Sequence, residues 1–554
     1  MPGPVRMFVL SLLSFAPWSC GADAPQVQLG STLVTGRATP ALQTEFFGGI
    51  PYAEPPVGNL RLARPVPKFS LAPASTFDAT DFGASCIQTA SPFVPAGLPM
   101  SEDCLTLNVF RPAGLAADAA VPVLAWIFGG SFFTGTTVTF NASELVFRSI
   151  TRGTPIIYVS LNYRLGPLGF PQGSEAASRG VLNLGLRDQT LALEWVQHNI
   201  AAFGGDPTKV TVFGQSAGAI SVGLLYLNDN FASLARAAIF QSSQPGTTVL
   251  FDANRSAPQW LVFANFACGT TNLTIDDTFS CLLSASADDI PAGEEAGVTA
   301  MVGEFPFFPV LDGPAGIVST LPSVRLSGGA GNNVPFMSGS VLDDGTLFVA
   351  ASVGTNSSDQ IVAQINASFT PSPGGAPALA NAIGTLLELY PDDPALGCPF
   401  GTGNNTFGFS SEYKRAAALL GDLLIQAPRR SWSQTASQQG TTVYSYLFTD
   451  PQPENPDFLG VMHTSELAYF YGGISAANGA DTLALSEMMQ DYWISFAVSL
   501  DPNDGNGSDR PSWEEYSVAQ RVIQLNSTST MMIADDFRQQ QMSFISDNAL
   551  LFSQ

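Results

Sequence analysis

Positive charge is what this chain lacks most. Lys and Arg number 22 against 46 Asp and Glu in 554 residues, a formal net charge of −24. So few cations cannot build a phosphate-binding face, which excludes nucleic acid and an anionic membrane surface as partners. Histidine is scarcer still, His198 and His463 being the only two. The His463-x-x-Glu466 spacing is therefore not a zinc pair, because no further histidine is free to complete a ligand set, and no metal site is expected. Also missing are an internal repeat, a low-complexity linker and a charge block, any of which would mark a boundary between units. Beyond Ala22 no apolar run escapes polar, Gly or Pro interruption for long enough to span a bilayer, so no stable membrane insertion is expected. With 45% apolar and only 12% charged residues, the chain is neither disordered nor fibrous and has ample material for a core.

At the N-terminus, Arg6 precedes the apolar run Met7–Ala16, and the small residues Cys20, Gly21 and Ala22 follow. That is the form of a secretory signal covering Met1–Ala22, which leaves residues 23–554 as one mature domain in the extracellular medium. Cysteine usage fits an oxidising compartment. Of six cysteines, removal of Cys20 leaves Cys86, Cys104, Cys268, Cys281 and Cys398. Close spacing pairs Cys86 with Cys104 and Cys268 with Cys281, with Cys398 left over. Eight N-x-S/T sequons, at Asn141, Asn254, Asn272, Asn356, Asn366, Asn404, Asn506 and Asn526, are glycosylation candidates in such a chain.

The patterning alternates short β-branched runs with helical ones. Strands are expected at Val121–Phe128, Pro155–Leu161 and Val210–Phe213, with a helix over about Arg187–Ile200, the signature of a largely parallel sheet covered on both faces. The last strand runs into Gly214-Gln215-Ser216-Ala217-Gly218 and then the apolar helix carrying Ile220, Val222, Leu224 and Leu225. A sharp strand-to-helix turn lifts a serine hydroxyl clear of the backbone only if its neighbours are small, a need that Gly214 and Gly218 meet. The same turn aims the Ala217 N–H and the helix N-terminus at the point where an attacked carbonyl gains negative charge.

Several motifs stand in register with this one. Ser101-Glu102-Asp103-Cys104-Leu105-Thr106-Leu107-Asn108-Val109, Asn162-Tyr163-Arg164, Leu193-Glu194-Trp195-Val196-Gln197, Phe203-Gly204-Gly205-Asp206-Pro207 and the Gly214–Gly218 turn together resemble the type-B carboxylesterase/lipase family, from about Val27 to the C-terminus. That family includes fungal extracellular lipases and the cholinesterases. The resemblance implies a single α/β-hydrolase domain with a large, mostly parallel sheet.

It also implies an acid and a histidine after the nucleophile, in that order. His198 precedes Ser216 and falls on the solvent side of its helix, whereas His463 lies in a loop before a helix that resembles the family's histidine loop. The family pattern G-x-x-x-[DN]-[DE]-G-T is matched by Gly339–Thr346, which puts Asp344 at the acid position, where most members carry glutamate; Asp343 stays open as the alternative. Gly129-Gly130-Ser131-Phe132 looks like the family's G-G-[GA]-F loop, with serine at the third place. Gly130, Ser131 and Ala217 are then the expected oxyanion donors. No cofactor is required.

The expected activity is hydrolysis of apolar acyl esters through an acyl-enzyme. Rival readings are a triacylglycerol or sterol ester lipase, a hydroxycinnamoyl esterase, and a non-catalytic cholinesterase-like adhesion module. The Cys86–Cys104 segment contains Pro92, Pro95 and Pro99, which forbid the long amphipathic lid helix of the family's lipases, and it has no tryptophan to seat choline. Phe305-Pro306-Phe307-Phe308 either lines an acyl pocket or is plain core. The partner is a small ester; oligomeric state is not legible.

Overall fold

The computed structural model describes residues 24–71, 75–91, 93–300, 306–328, 332–350, 355–517 and 519–554. The expected signal, with Cys20, lies outside the described residues, as do Pro92 and Phe305.

The eleven strands of the central sheet are, in chain order, β1 (Arg37–Thr39), β2 (Thr44–Pro51), β3 (Thr106–Pro112), β4 (Val121–Ile127), β5 (Ile157–Leu161), β6 (Gly205–Gln215), β7 (Ala237–Gln241), β8 (Phe336–Val341), β9 (Val443–Phe448), β10 (Arg521–Leu525) and β11 (Met531–Ala534). Their spatial order is β11-β10-β9-β8-β7-β6-β4-β5-β3-β2-β1. The run from β10 to β5 is parallel, and antiparallel strands close both edges. Central strands such as Ile157–Leu161 and Ala237–Gln241 are buried at every position, as expected where helices cover both faces.

The helices that matter here are α1 (Ser143–Thr151), α2 (Leu184–Asn199), α3 (Ala217–Tyr226), α4 (Ala257–Ala267), α5 (Ile290–Thr299), α6 (Gly345–Ala350), α7 (Ser411–Gly421), α8 (Ala427–Gln438) and α9 (Ala480–Ser499). Phe213 pairs with Trp126 and sends its ring toward Phe470, whereas Phe240 pairs with Gly214 and faces Tyr226 of α3. Because side chains alternate along a strand, these contacts mark opposite faces of the sheet. α1 and α9 cover the first and α2 and α3 the second.

Ion pairs tie the C-terminal end of α1 to α9 and to the loop that follows it. Arg148 donates to both carboxylate oxygens of Asp491 (2.9 and 2.6 Å), and Arg152, itself buried, donates to Asp504 at 2.6 Å. A second, smaller apolar cluster, including Val349, Tyr413, Leu419 and Ile425, packs beneath α7 beside the main core. Among the described residues no helix is long and apolar enough to cross a membrane.

The expected strand and helix boundaries shift by one or two residues, and two of them by more. α2 begins at Leu184, three residues before the expected Arg187, because Asn183 in the left-handed region (φ 56°) starts it and Leu184 and Leu186 already face the core. β6 reaches back to Gly205 despite Pro207, since its register against β4 is irregular between Gly205 and Val210, and a bulge tolerates a residue without an N–H.

Candidate active site

β6 ends at Gln215 and α3 begins at Ala217, so Ser216 is the whole turn between them. It sits at φ 55°, ψ −129°, a conformation that costs a non-glycine residue about 1–3 kcal/mol and persists only when its surroundings impose it. Those surroundings are tight. A Cβ on Gly218 would come within 2.0 Å of the Ile127 carbonyl, and one on Gly214 within 2.5 Å of the Gly218 backbone. The Ser216 N–H donates to the Gln241 carbonyl at 3.0 Å, and its own carbonyl accepts from Ile220 at 2.9 Å, so both backbone groups are anchored. The side chain is half-buried.

His463 is buried in the loop that leads to the short helix Leu467–Phe470. Its Nδ1 lies 2.7 Å from Asp344 Oδ1. The other Asp344 oxygen accepts the Val341 N–H at 3.0 Å, so the carboxylate is held at both ends and presents one oxygen to the imidazole. With the Nδ1 proton on Asp344, Nε2 carries the lone pair, and the Gln215 side-chain amide donates to it at 3.1 Å. Gln215 adjoins Ser216, so the basic nitrogen faces the serine turn. Phe348 of α6 packs on the imidazole at 5.2 Å between ring centroids.

Asp343, the alternative left open by the sequence, makes no hydrogen bond to the imidazole. Its carboxylate accepts the N–H groups of Phe400 and Val461, each at 2.9 Å, and the Cys398 thiol at 3.2 Å. Burial pushes its carboxyl above the ordinary carboxylate range, and those donors only partly counter the effect. The Asp343 N–H also donates to the Val461 carbonyl, and Asp343 bridges Met462 in parallel fashion. This bridge draws the two loops together one residue short of His463, which is why an aspartate at 344 reaches the ring despite being a methylene shorter than glutamate. Gly460 at φ 56° completes the turn; a Cβ there would strike the Asp343 carboxylate at 2.4 Å.

The loop after β4 lies against the serine turn. A Cβ on Gly129 would meet the Gln215 carbonyl at 2.6 Å and Ser216 Cβ at 2.9 Å. Gly130, Ser131 and Phe132 all have positive φ (113°, 55° and 64°). The N–H groups of Gly130, Ser131 and Ala217 make no backbone hydrogen bond among the described residues. Unspent donors beside a hydroxyl, with a carboxylate-oriented imidazole opposite, form an arrangement suited to acyl transfer.

Sequence reasoning missed Glu466. It is fully buried, and its carboxyl is pushed up to about 7, first by burial and then by Asp344, against the opposing pull of His463 and the Gln241 side chain. The only signal was its three-residue spacing from His463.

The other expectations fall as follows. His198 is exposed on α2, bonded to the Glu194 carbonyl (2.7 Å) and stacked on Phe69, remote from this constellation. Disulfides join Cys86 to Cys104 and Cys268 to Cys281, and Cys398 is free and buried. Between Cys86 and Cys104 the described residues form no helix. Phe307 is core, packed on Phe263, whereas Phe308 is half-buried against Phe132, next to Ser131. Six sequon asparagines are exposed; Asn366 is half-buried in a helix, and the half-buried Asn526 spends its amide on Thr449.

An eleven-stranded, mainly parallel sheet with a strained serine turn at the end of a central strand, an imidazole and a buried acid defines an α/β-hydrolase. Comparison with known proteins carries this to the family: the model of the carboxylesterase family matches residues 23–545, and the chain belongs to that family. It is 34% identical to Secreted lipase 1 of Botryotinia fuckeliana, over 95% of this chain and 93% of the relative, and 32% identical to Lipase 2 of Geotrichum candidum, over 93% and 94%. Among solved structures it superposes on Aspergillus niger EstA with a TM-score of 0.82 at 25% identity, covering 96% of this chain and 99% of that one. The protein is a carboxylic ester hydrolase.

Proposed function

We propose that this is a secreted serine esterase that cleaves apolar acyl esters through an acyl-enzyme, with Met1–Ala22 as its signal and residues 23–554 as its single domain. Ser216 Oγ attacks the ester carbonyl while His463 Nε2 takes its proton; Asp344 fixes the imidazole tautomer and balances the charge it acquires. For the transfer to begin, Nε2 must exchange the Gln215 amide for the serine hydroxyl. The N–H groups of Gly130, Ser131 and Ala217 receive the oxyanion, and losing one such donor costs about 3 kcal/mol of transition-state stabilisation. The alcohol leaves with the proton returned by His463, and water repeats the sequence on the acyl-enzyme. The observation that carries this reading is the Asp344–His463 bond of 2.7 Å, with Nε2 turned toward the residue beside Ser216.

The absence of a helix among the described residues between Cys86 and Cys104 supports an esterase with a short cover rather than a lipase dependent on an oil surface. The secreted relatives, the two disulfides and the six exposed sequons support export and glycosylation.

The test is a fluorophosphonate label mapped by mass spectrometry, run beside a panel of p-nitrophenyl, triglyceride, steryl and feruloyl esters. Label on Ser216, abolished in Ser216→Ala, is expected. Loss of nearly all turnover in His463→Ala, with His198→Ala unchanged, completes the expectation. An unlabelled wild type with no turnover of any ester would favour the non-catalytic module.

A further inference from the structure

We propose that Gln88 is a positioning residue for the reaction: its side chain holds the Gly129–Gly135 loop in the shape that presents the Gly130 and Ser131 N–H groups to the oxyanion. The inference rests on the oxyanion role proposed for those groups and adds what sets their geometry.

Gln88 lies two residues beyond Cys86 and is 1% exposed. All four hydrogen-bonding positions of its amide are filled. Oε1 accepts from Thr134 Oγ1 (2.9 Å) and from the Gly135 N–H (2.8 Å), while Nε2 donates to the Gly135 carbonyl (2.9 Å) and the Cys86 carbonyl (3.0 Å). A side-chain amide that accepts from the N–H and donates to the C=O of one residue acts like a neighbouring β-strand and fixes the orientation of the two peptide units that flank that residue.

The two residues it grips are those against which the donor-bearing limb rests. A Cβ on Gly130 would fall 1.9 Å from the Thr134 carbonyl, and one on Gly135 would meet Phe128 at 2.5 Å and the Gly129 carbonyl at 2.7 Å. Gly129 in turn lies against Gln215 and Ser216. A line of backbone contact therefore runs from Gln88 through Thr134 and Gly135 to Gly129 and Gly130, and so to the nucleophile. The loop needs such support, because Gly130, Ser131, Phe132 and Gly135 all have positive φ, and two of these are not glycine. Its other ties include the Phe133 and Thr134 N–H groups to the Gly130 carbonyl (3.2 and 3.0 Å), Gly166 N–H to the Phe132 carbonyl (2.8 Å), Tyr163 hydroxyl to the Phe128 carbonyl (2.9 Å), Ser85 Oγ to Thr136 Oγ1 (2.8 Å) and the Phe132 ring against Phe170 and Phe308; of the side-chain bonds, those of Gln88 are the ones that reach Thr134 and Gly135. Both Ser85 and Gln88 flank Cys86, so the disulfide to Cys104 anchors the piece of chain that braces the oxyanion loop.

The test uses the full chain and Gln88→Leu, which keeps the volume and removes all four bonds, with Thr134→Val as a milder variant that removes one. Four quantities are measured on protein shown to be folded by its melting curve: kcat and KM for a soluble p-nitrophenyl ester, Ki for a trifluoromethyl ketone whose adduct carries the oxyanion, and Ki for the product carboxylic acid. Gln88→Leu is expected to lower kcat roughly 10- to 100-fold and weaken the ketone by a similar factor, with KM and the acid's Ki within about threefold. Thr134→Val is expected to lower kcat and weaken the ketone two- to fivefold. A folded Gln88→Leu with kcat within twofold of the wild type, or a loss carried by KM alone, overturns the proposal. If Gln88→Leu does not fold, unchanged kcat in Thr134→Val overturns it. Fluorophosphonate titration of Ser216 in the wild type separates the two levels: failure there refutes the Ser216 reading, not the role of Gln88.

Discussion

At the scale of single residues, two adjacent aspartates carry different duties, and the chemistry of each predicts a different defect. Asp344 spends one oxygen on the imidazole, so Asp344→Asn favours the wrong tautomer and should lower kcat by orders of magnitude with binding intact. Asp343 spends its carboxylate on two N–H groups and a thiol. Asp343→Asn turns an acceptor into a donor facing one of them, so its expected defect is stability, about 1–3 kcal/mol in a denaturant melt, with a much smaller loss of kcat. A reversed pattern would exchange the two roles. The motif reached this pair but could not choose within it, because the choice depends on a bridge to Met462, more than a hundred residues away, that no local pattern records.

Glu294, on α5, shows the same gap between composition and environment. Burial pushes its carboxyl up to about 8, offset in part by the Thr89 N–H, and its Oε1 has no partner among the described residues. The folded chain thus holds a proton that the unfolded chain releases above about 4.5, so this residue makes stability fall as pH rises from near 4.5 to near 8. At 1.36 kcal/mol per unit the full shift amounts to roughly 5 kcal/mol. Glu294→Gln should melt progressively higher than the wild type as pH goes from 5 to 9. A difference independent of pH would show that the carboxyl is not held neutral.

Among elements, the legible ones were those whose pattern is local. The serine turn, the strand into Gly129 and the parallel sheet follow from β-branched runs, glycines and periodicity, and the structure contains each. Helix starts and the Gly205–Val210 irregularity depend on tertiary packing and on Pro207, and they shifted accordingly. The bracing of one loop by another through Gln88 is likewise a long-range fact. In the function proposed above, the Cys86–Cys104 segment is the cover over the substrate. Its described residues form no helix and expose Phe93 and Met100 as large apolar side chains, too little to drive insertion at an oil surface. Rate should therefore rise hyperbolically with a short-chain ester and show no jump at its solubility limit. A sharp jump would point to a cover elsewhere in the chain.

For the molecule as a whole, the ion pairs that tie the end of α1 to α9 and the loop after it set a condition on integrity. Arg152 reaches Asp504 across 352 positions, and Arg148 reaches Asp491 across 343. Removing one member of a buried pair costs up to about 3–5 kcal/mol, and without Asp504 the buried Arg152 keeps only the Asp491 carboxylate, at 3.8 Å, as counter-charge. Asp504→Ala should thus lower stability by that order, and a chain ended before Asp491 should be recovered only as aggregate; a soluble, cooperatively melting fragment would refute this.

The same separation has a meaning in time. At about 5–20 residues per second a ribosome needs on the order of 20 to 70 s to go from Arg152 to Asp504. Throughout that interval Arg148 and Arg152 wait for acids not yet made, and His463 is absent for most of it. The emerging chain must stay dispersed while its sheet is unfinished, and a surplus of like charge supplies the repulsion that keeps unfinished copies apart.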